Sequence, residues 1–196
     1  MERAAPTRET IVDLIEDIFL RRGADSYLGE EVTMSEHMLQ AAQLAEAEDG
    51  SDAMIAAALL HDIGHYANEF PEDALERGID NRHEVAGGRL LEPFFPPEVT
   101  EPVRLHVATK RYLCAVDPDY FATLSPASVH TLGLQGGPMS PEEVREFERS
   151  PYRDLAVKVR RWDEAAKAKD RPTPPFSHYR PVLERVARTG RAGERS

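Results

Sequence analysis

The 196-residue chain is long enough for one sizeable hydrophobic core and short for two, so we expect a single domain. Its 24 basic and 35 acidic residues give a net charge of -11, which argues against a nucleic-acid-binding protein, because such proteins neutralise phosphates with basic residues. The single cysteine excludes an intrachain disulfide, and the sequence has neither a signal-peptide pattern nor a membrane-spanning apolar run, so we expect a cytoplasmic protein with no membrane partner.

Two helices are predicted in the first quarter of the chain. Apolar residues recur at i, i+3, i+4 and i+7 over residues 9–22, which is typical of an amphipathic helix. Residues 24–32 show no period and predict a loop. Thr33 and Glu36 form a capping box that opens the second helix. His37 lies within the apolar stripe of that helix, so it points inward, either as a core histidine bonded to a carbonyl or as a ligand.

The most apolar stretch runs directly into a His-Asp pair. Eight of the nine residues over 53–61 are apolar, a run too short to span a bilayer, which predicts a central core helix capped by Asp52. Burying an unpartnered imidazole or carboxylate costs several kcal/mol, roughly, so His61 and Asp62 either bond to each other or share a cation. His65 lies one turn after His61 and on the same side if the helix continues.

A fourth helix is expected after a polar loop over residues 68–80. Asn81 can cap this helix, which runs to about Leu91 and carries His83 in its first turn. Two adjacent glycines at 87–88 cost about 1 kcal/mol each in a helix, so they indicate a close approach of another backbone or of a ligand.

A fifth helix is predicted from Pro97 to about Tyr112. His106 and Lys110 are four residues apart on it and share a face. Most lysines at such a spacing are simply solvated, so Lys110 alone indicates no site. Prolines and glycines break residues 117–139 into short helical turns and a loop.

Ser140, Pro141 and Glu143 together form a strong helix start. A last long helix is predicted over residues 151–168, and Asp163 falls at the edge of its buried face. This carboxylate either forms a rim salt bridge with Arg160 or Lys167 or points inward as a ligand.

The proline-rich stretch 171–176 and the tail after Arg188 have the composition of extended, frayed segments. No segment shows a sustained strand period, so we expect an all-α fold. We place its one domain at residues 9–188 and treat 1–8 and 189–196 as loose termini.

Four inward-facing polar residues lie on or beside apolar stripes of three helices: His37, His61, Asp62 and Asp163. Imidazole together with carboxylate suits zinc, manganese or iron. These residues resemble the H…HD…D signature of the HD-domain superfamily of metal-dependent phosphohydrolases, and Leu-Leu-His-Asp-Ile-Gly-His at 59–65 matches its best-marked segment. The resemblance implies a single HD-domain helical bundle with a metal site in its core. His83 and His106 resemble the extra histidines of the dinuclear subgroup, in which the aspartate bridges two metals.

Other residues narrow this resemblance. Tyr-Leu-Gly-Glu at 27–30 precedes His37, and Ser-Val-His-Thr-Leu-Gly-Leu-Gln-Gly-Gly-Pro-Met at 128–139 precedes the final aspartate. The set is similar to the phosphonate-cleaving HD-domain mixed-valence di-iron oxygenases, of the 2-amino-1-hydroxyethylphosphonate dioxygenase type, over about residues 9–170. It implies O2-dependent cleavage of the C-P bond of a 1-hydroxyphosphonate to phosphate and a carboxylate.

The same resemblance implies two iron ions, Fe2+ and Fe3+. One would be held by His37, His61, Asp62 and Asp163, and the other by His83 and His106, with Asp62 as the bridge. Small-molecule organophosphonate and O2 are the expected partners, and the oligomeric state is open.

Six residues are candidates for contacts with the substrate: Tyr27, Glu30, His65, Lys110, Ser128 and Thr131. A phosphonate dianion needs cationic or N-H donors, which Lys110 and His65 can supply as the catalytic pair, with hydroxyl groups adding to them. Glu30 suits a substrate ammonium and favours an aminoethyl substituent, although trimethylammonioethyl and hydroxymethyl substrates stay open. Tyr27, the third catalytic candidate, either covers the metal before substrate arrives or packs on the surface. The Gly136-Gly137 backbone either adds N-H donors or forms a plain turn.

Two other functions are compatible with these residues. The same ligands could hold zinc or manganese and activate water, giving an HD phosphohydrolase that acts on a nucleotide or another phosphate ester. A metal-stabilised binding module without turnover is the third hypothesis. Iron content and oxygen consumption distinguish the first hypothesis from the second.

Overall fold

The computed structural model describes residues 6–25, 27, 30–67 and 82–189, and every regular element in these ranges is a helix. The helices are α1 Ile11–Arg22, α2 Met34–Ala47, α3 Asp52–Leu60, α4 Gly64–Ala67, α5 His83–Leu91, α6 Pro97–Val116, α7 Pro118–Thr123, α8 Pro126–Leu134, α9 Pro141–Phe147, α10 Arg153–Ala165 and α11 Phe176–Thr189. The predicted all-α class is confirmed. The expected loop at 68–80, the Asn81 cap and the loose ends at 1–5 and 190–196 lie outside the described residues.

Helix α3 is the centre of the molecule, as its apolar sequence predicts. All its residues from Met54 to Leu60 are buried, and α2, α6, α10 and α11 pack around it. The predicted cap was wrong by one residue. Ser51 caps the helix by accepting from the Met54 amide, while the Asp52 carboxylate accepts from Arg185 of α11 at 2.7 Å. Asp52 therefore joins two helices instead of ending one.

The His-Asp pair lies in a turn rather than inside a helix. Helix α3 ends at Leu60, residues 61–63 form the turn, and α4 starts at Gly64. A Cβ on Gly64 would lie 1.9 Å from the carbonyl oxygen of His83 and 2.5 Å from the amide nitrogen of Gly87. The backbones of α4 and α5 therefore touch, which is the close approach predicted from the glycines, and this contact brings His83 beside the pair.

The helix starts predicted from capping boxes are confirmed. In α2 the Thr33 amide donates to the Glu36 carboxylate at 2.7 Å, and the Glu36 amide donates back to the Thr33 hydroxyl. The same reciprocal bonds join Ser140 and Glu143 at the start of α9. Helix α6 continues to Val116, beyond the predicted end, and the broken segment after it contains the short helices α7 and α8.

Helix α11 was missed, because residues 151–168 were predicted to form the last long helix. Its residues Tyr179 and Leu183 are fully buried, and it packs against α1 and α3. Arg180 ties it to α1 by donating to Asp13 and Glu16. Pro181 and the preceding proline-rich stretch hid this helix, since proline is unfavourable in helix interiors. None of the helices described is both long and apolar enough to cross a lipid bilayer.

Candidate metal centre and anion pocket

Two histidines meet where α2 and α3 approach each other. The Nδ1 atom of His37 donates to the carbonyl oxygen of Ala166 at 2.9 Å, and the Nδ1 atom of His61 donates to that of Ala58 at 2.8 Å. Both rings therefore direct Nε2 inward, and these two atoms are 3.0 Å apart. Backbone bonds of this kind fix the tautomer and ring orientation of metal-ligating histidines.

Two carboxylates complete this first cluster. Asp62 Oδ2 lies 3.4 Å from His61 Nε2, and Asp163 Oδ1 lies 3.4 Å from His37 Nε2. Ligands that bind one ion through bonds of about 2.1 Å are separated by roughly 3.0–3.4 Å, so these spacings fit a shared cation. Asp163 Oδ1 is buried and has no hydrogen-bond partner among the residues that the structure describes, which is costly for a carboxylate unless a cation binds it.

A second cluster uses the other oxygen of the same aspartate. Asp62 Oδ1 lies 3.2 Å from His83 Nε2 and 3.3 Å from His106 Nε2, and the two nitrogens are 3.0 Å apart. The Nδ1 atom of His106 donates to the carbonyl oxygen of Val103 at 2.7 Å, so its Nε2 also faces inward. Each cluster contains at least three donors that could hold a metal ion. Asp62 is therefore placed to bridge two cations.

The charges of the clusters favour cations. Burial alone would raise the pKa of Asp62, but His61 and the other neighbouring histidines hold it well below its usual range. Burial also opposes ionisation of Asp163, yet Arg160 and His61 hold its pKa well below its usual range. Burial would lower the pKa of His61, but Asp62 and Asp163 raise it to about 9. Both carboxylates are thus ionised, and a metal must displace the proton that His61 otherwise holds.

Asp163 combines the two roles that the sequence left open. Its Oδ2 atom accepts from Arg160 on the same helix, as in the salt-bridge alternative, while its Oδ1 atom faces His37. Arg160 is itself buried, and its Nε donates to the hydroxyl of Tyr120 at 2.7 Å. The arginine therefore orients the carboxylate from behind.

A pocket of about 580 Å³, partly open to solvent, lies over the two clusters. Its wall includes all six residues predicted to contact the substrate: Tyr27, Glu30, His65, Lys110, Ser128 and Thr131. Arg160 and Lys167 also line it, and neither was predicted to do so. Among the described residues, three basic side chains, Lys110, Arg160 and Lys167, therefore line one small space in a protein whose net charge is -11, and such local clustering is what an anion site requires.

Tyr27 is buried at the metal clusters rather than packed on the surface. Its ring stacks on that of His37 with centroids 3.9 Å apart and planes 15° from parallel. Burial, together with the charges of Asp62 and Asp163, raises the pKa of Tyr27 well above its ordinary value. Tyr27 is therefore a neutral phenol that covers one face of the first cluster.

Lys110 and His65 face the pocket from two sides. Lys110 is buried rather than solvated, and its Nζ donates to the Thr131 hydroxyl at 2.8 Å. Burial and the nearby Arg160 lower the pKa of Lys110 to about 7. The His65 ring stacks on that of His83 with centroids 3.9 Å apart, and burial holds the pKa of His65 well below its usual range. His65 is therefore a neutral imidazole, which can donate an N-H bond but carries no charge.

The glycine pair after α8 forms a plain turn. Gly136 and Gly137 have φ values of 98° and 72°, which glycine adopts readily. The Gly137 amide donates to the carbonyl oxygen of Leu132 at 2.9 Å, and neither glycine lines the pocket. Of the two alternatives that the sequence left open, the geometry fits the plain turn, because the helix end uses these amides.

Sequence reasoning missed the polar network behind the pocket. Lys167 was considered only as a partner of Asp163, but its Nζ donates to Glu164 Oε1 and to Ser128 Oγ, at 2.8 Å in each case. Glu164 also accepts from Arg160. The available signal was the i, i+3 and i, i+4 spacing of Arg160, Glu164 and Lys167 along the last turns of α10 and just beyond its end, which is equally typical of an exposed helix face.

Comparison with known proteins is consistent with this geometry. The family model for the HD domain matches residues 34–144. The chain is 51% identical over 179 residues, 91% of each protein, to (1-hydroxy-2-(trimethylamino)ethyl)phosphonate dioxygenase (glycine-betaine-forming) of Leisingera caerulea. It is 44% identical over 177 residues to hydroxymethylphosphonate dioxygenase of Gimesia maris, covering 90% of this chain and 87% of that protein.

Proposed function

This chain belongs to the HD-domain family, and we propose that it is an oxygenase that uses O2 to cleave the C-P bond of a 1-hydroxyphosphonate. The proposal rests on the position of Asp62. One of its carboxylate oxygens lies near the His37–His61 cluster and the other near the His83–His106 cluster, at the base of a pocket lined by basic side chains. Both relatives are named as dioxygenases of hydroxylated phosphonates, which favours oxygenation over phosphate-ester hydrolysis.

We assign the two clusters to two iron ions. His37, His61, Asp62 and Asp163 would hold one iron, and His83 and His106 with the bridging Asp62 would hold the other, as an Fe2+/Fe3+ pair. Nitrogen and oxygen donors fit iron as well as zinc and manganese, and the proposed oxidation selects iron among them. When bound, the irons supply the one-electron and O2 chemistry that no amino-acid side chain provides.

The proposed reaction balances without a further oxidant or reductant. R-CH(OH)-PO3H2 and O2 give R-COOH and H3PO4. The C-H and C-P bonds of the hydroxylated carbon break, and the four electrons released reduce O2. The pocket therefore needs to bind only one organic substrate and O2.

The protein binds and orients the phosphonate. Lys110 would pair with a phosphonate oxygen, and this anion would restore the proton that burial makes Lys110 release near neutral pH. The hydroxyls of Ser128 and Thr131 donate to Glu164 and to the Ser128 carbonyl oxygen, and they would turn from these acceptors to donate to the remaining oxygens. The neutral His65 would donate an N-H bond to the substrate. Tyr27 would keep water from the first cluster until the substrate displaces its ring.

Glu30 lines the pocket, and we place the substituent of the substrate beside it. A carboxylate there suits an ammonium group, which supports a 2-amino-1-hydroxyethyl substrate. Replacement of Glu30 by glutamine is expected to weaken such a substrate and to leave iron binding unchanged. Loss of iron from this variant would show that the role assigned to Glu30 is wrong.

The decisive experiment measures metal, oxygen and phosphate together. Protein purified without oxygen should contain two irons per chain, with the low-temperature electron paramagnetic resonance signal of a coupled Fe2+/Fe3+ pair. A 1-hydroxyphosphonate should then drive O2 uptake and phosphate release in a 1:1 ratio. Phosphate release from nucleotides without O2 uptake would support the hydrolase instead. Bound metal with neither activity would support a binding module.

A further inference from the structure

The ammonium group of Lys167 lies in the wall of the pocket beside Glu30, and three acceptors bind it. Its Nζ donates to Glu164 Oε1 and Ser128 Oγ at 2.8 Å and to Ser125 Oγ at 3.3 Å. The side chain is 11% exposed. Three good acceptors use the three N-H bonds of an ammonium, so Lys167 is held in place without any substrate.

The same ammonium forms an ion pair with Glu30. Lys167 Nζ is 3.5 Å from Glu30 Oε1, while the hydroxyl of Ser125 donates to that oxygen directly. Ser125 thus orients the carboxylate, and Lys167 acts on it mainly through its charge, with a longer bond of 3.3 Å to Ser125. Removing the lysine charge would leave Glu30 positioned but without its nearest counter-charge.

The charges around Glu30 belong to one network. Arg160 and Lys167 carry two positive charges and Glu164 and Glu30 two negative ones, all linked by the contacts described, and Asp163 adds a third negative charge beside Arg160. Glu164 has further support, because it accepts from the amide of Ser125 at 3.1 Å. A cationic substituent entering beside Glu30 would therefore meet the repulsion of Lys167 as well as the attraction of the carboxylate.

We infer that Lys167 is a specificity-determining residue whose charge offsets that of Glu30, so that the pocket accepts 1-hydroxyphosphonates with neutral substituents nearly as well as those with an ammonium group. This inference rests on the proposed function. Glu30 would then tolerate a cation without requiring one. The substrate class is accordingly defined by the hydroxylated phosphonate end and only weakly by the charge of the substituent.

Binding of two matched probes isolates the charge effect. The probes are 2-aminoethylphosphonate and propylphosphonate, which are similar in size, differ in the ammonium group and lack the 1-hydroxyl that turnover requires. Their dissociation constants would be measured by calorimetry without oxygen on the iron-loaded protein. In Lys167→Met we expect the preference for 2-aminoethylphosphonate to rise about five- to tenfold, as for removal of one nearby charge at a partly buried site. Lys167→Gln serves as a second neutral variant.

Two further variants separate charge from structure. Lys167→Arg keeps the charge and should keep the wild-type preference. Lys169→Met removes a lysine that is 57% exposed and pairs with Glu31, so it makes the same change in net charge and should leave the preference unaltered. Glu30→Gln should reduce the preference in the wild-type background.

The outcomes distinguish this inference from the proposed function. An unchanged preference in both neutral Lys167 variants, with propylphosphonate still bound, would overturn the inference alone. Equal weakening of both probes would also overturn it, because Lys167 would then act by supporting Ser128. If the iron-loaded wild-type protein binds neither probe and consumes no O2 with any 1-hydroxyphosphonate, the proposed function falls, and the inference falls with it.

Discussion

The two sides of the pocket bury their charges in different ways. On the metal side, the imidazoles of His37, His61 and His106 bond to backbone carbonyls through Nδ1 and leave Nε2 facing carboxylates across gaps of 3.3–3.7 Å. On the opposite side, Arg160 and Lys167 donate directly to Glu164. The carboxylates of the metal side therefore need bound cations to balance their charge. On the opposite side, the carboxylate of Glu164 is balanced by basic side chains of the protein.

This difference predicts which changes each side tolerates. A substitution on the metal side should act mainly through the number of bound ions. A substitution on the opposite side should act through the orientation of the groups that the network supports, and it should weaken iron binding less than the loss of a ligand does.

Replacement of Asp62 by asparagine should have the largest effect. The amide keeps the size of the side chain but loses the charge and one oxygen, so it cannot bridge two cations. We expect bound iron to fall to one ion per chain or fewer. Oxygen uptake should fall by more than about 100-fold. Loss of a residue that only hydrogen-bonds to a metal ligand already lowers metal affinity or activity about 10- to 100-fold, and Asp62 is itself a proposed ligand. Metal analysis and oxygen-electrode assays measure both quantities.

The matched control for this variant is Asp154→Asn, because that carboxylate lies in the first turn of α10 with its side chain 80% exposed. It should keep two irons and full activity. Two irons per chain in the Asp62 variant would show that the bridge is not needed and would remove the main structural support for a dinuclear centre.

Replacement of Arg160 by methionine tests the opposite side and should have a smaller effect. The variant removes the donor to Asp163 and the bond to the Tyr120 hydroxyl. We expect iron affinity to fall about 10- to 100-fold, the usual effect of losing an outer partner of a ligand. The free energy of unfolding should fall by about 3–5 kcal/mol, because one member of a buried ion pair is left alone. Competition with a chelator and denaturant unfolding measure the two effects.

Arg161→Met is the control for this experiment. Arg161 is the next residue on α10, is 54% exposed and pairs with Asp117 at 3.0 Å. It should change neither quantity by more than about 0.5 kcal/mol, as for most surface substitutions. Wild-type iron affinity in the Arg160 variant would mean that Asp163 needs no support from behind.

The metal side was largely predictable because its signal is local. The string at 59–65 joins a buried apolar helix to polar side chains, and burial of unpartnered imidazole and carboxylate is unfavourable enough to demand a cation. His37 stood out for the same reason, as a polar residue in an apolar stripe. The exact chain path was less predictable, since the turn at 61–63 moves His65 onto α4.

The opposite side was not predictable because its signal depends on tertiary contacts. Arg160 and Lys167 have the spacing of ordinary surface ion pairs, and it is contacts with other helices, to Tyr120 of α7 and Ser128 of α8, that distinguish them in the fold. Helix α11 was missed for a related reason. Its proline lowers local helix propensity, and burial of Tyr179 and Leu183 against the core outweighs that preference.

The smallest predicted effect concerns Lys110, which lies where the two sides meet. In the ligand-free protein burial lowers its pKa to about 7, whereas an unfolded chain keeps a pKa of about 10.4. The unfolded state binds more protons between these values, so this residue makes stability rise with pH across that window. A bound phosphonate dianion would favour the charged form of Lys110, so the lysine would regain its proton. We therefore expect phosphonate binding to be linked to proton uptake above pH 7.

Calorimetry of propylphosphonate binding at pH 8, in two buffers of different ionisation enthalpy, measures this uptake. Lys110→Arg keeps its charge at every pH, so it should take up close to one proton fewer than the wild type, and its affinity should vary less between pH 7 and 9. Protons exchanged by the ligand itself are common to both proteins and cancel in the comparison. Equal proton uptake by the two proteins would assign the proton to another group. Lys110 would then be charged before the phosphonate binds, as Arg160 and Lys167 are on the opposite side of the pocket, where they pair with carboxylates.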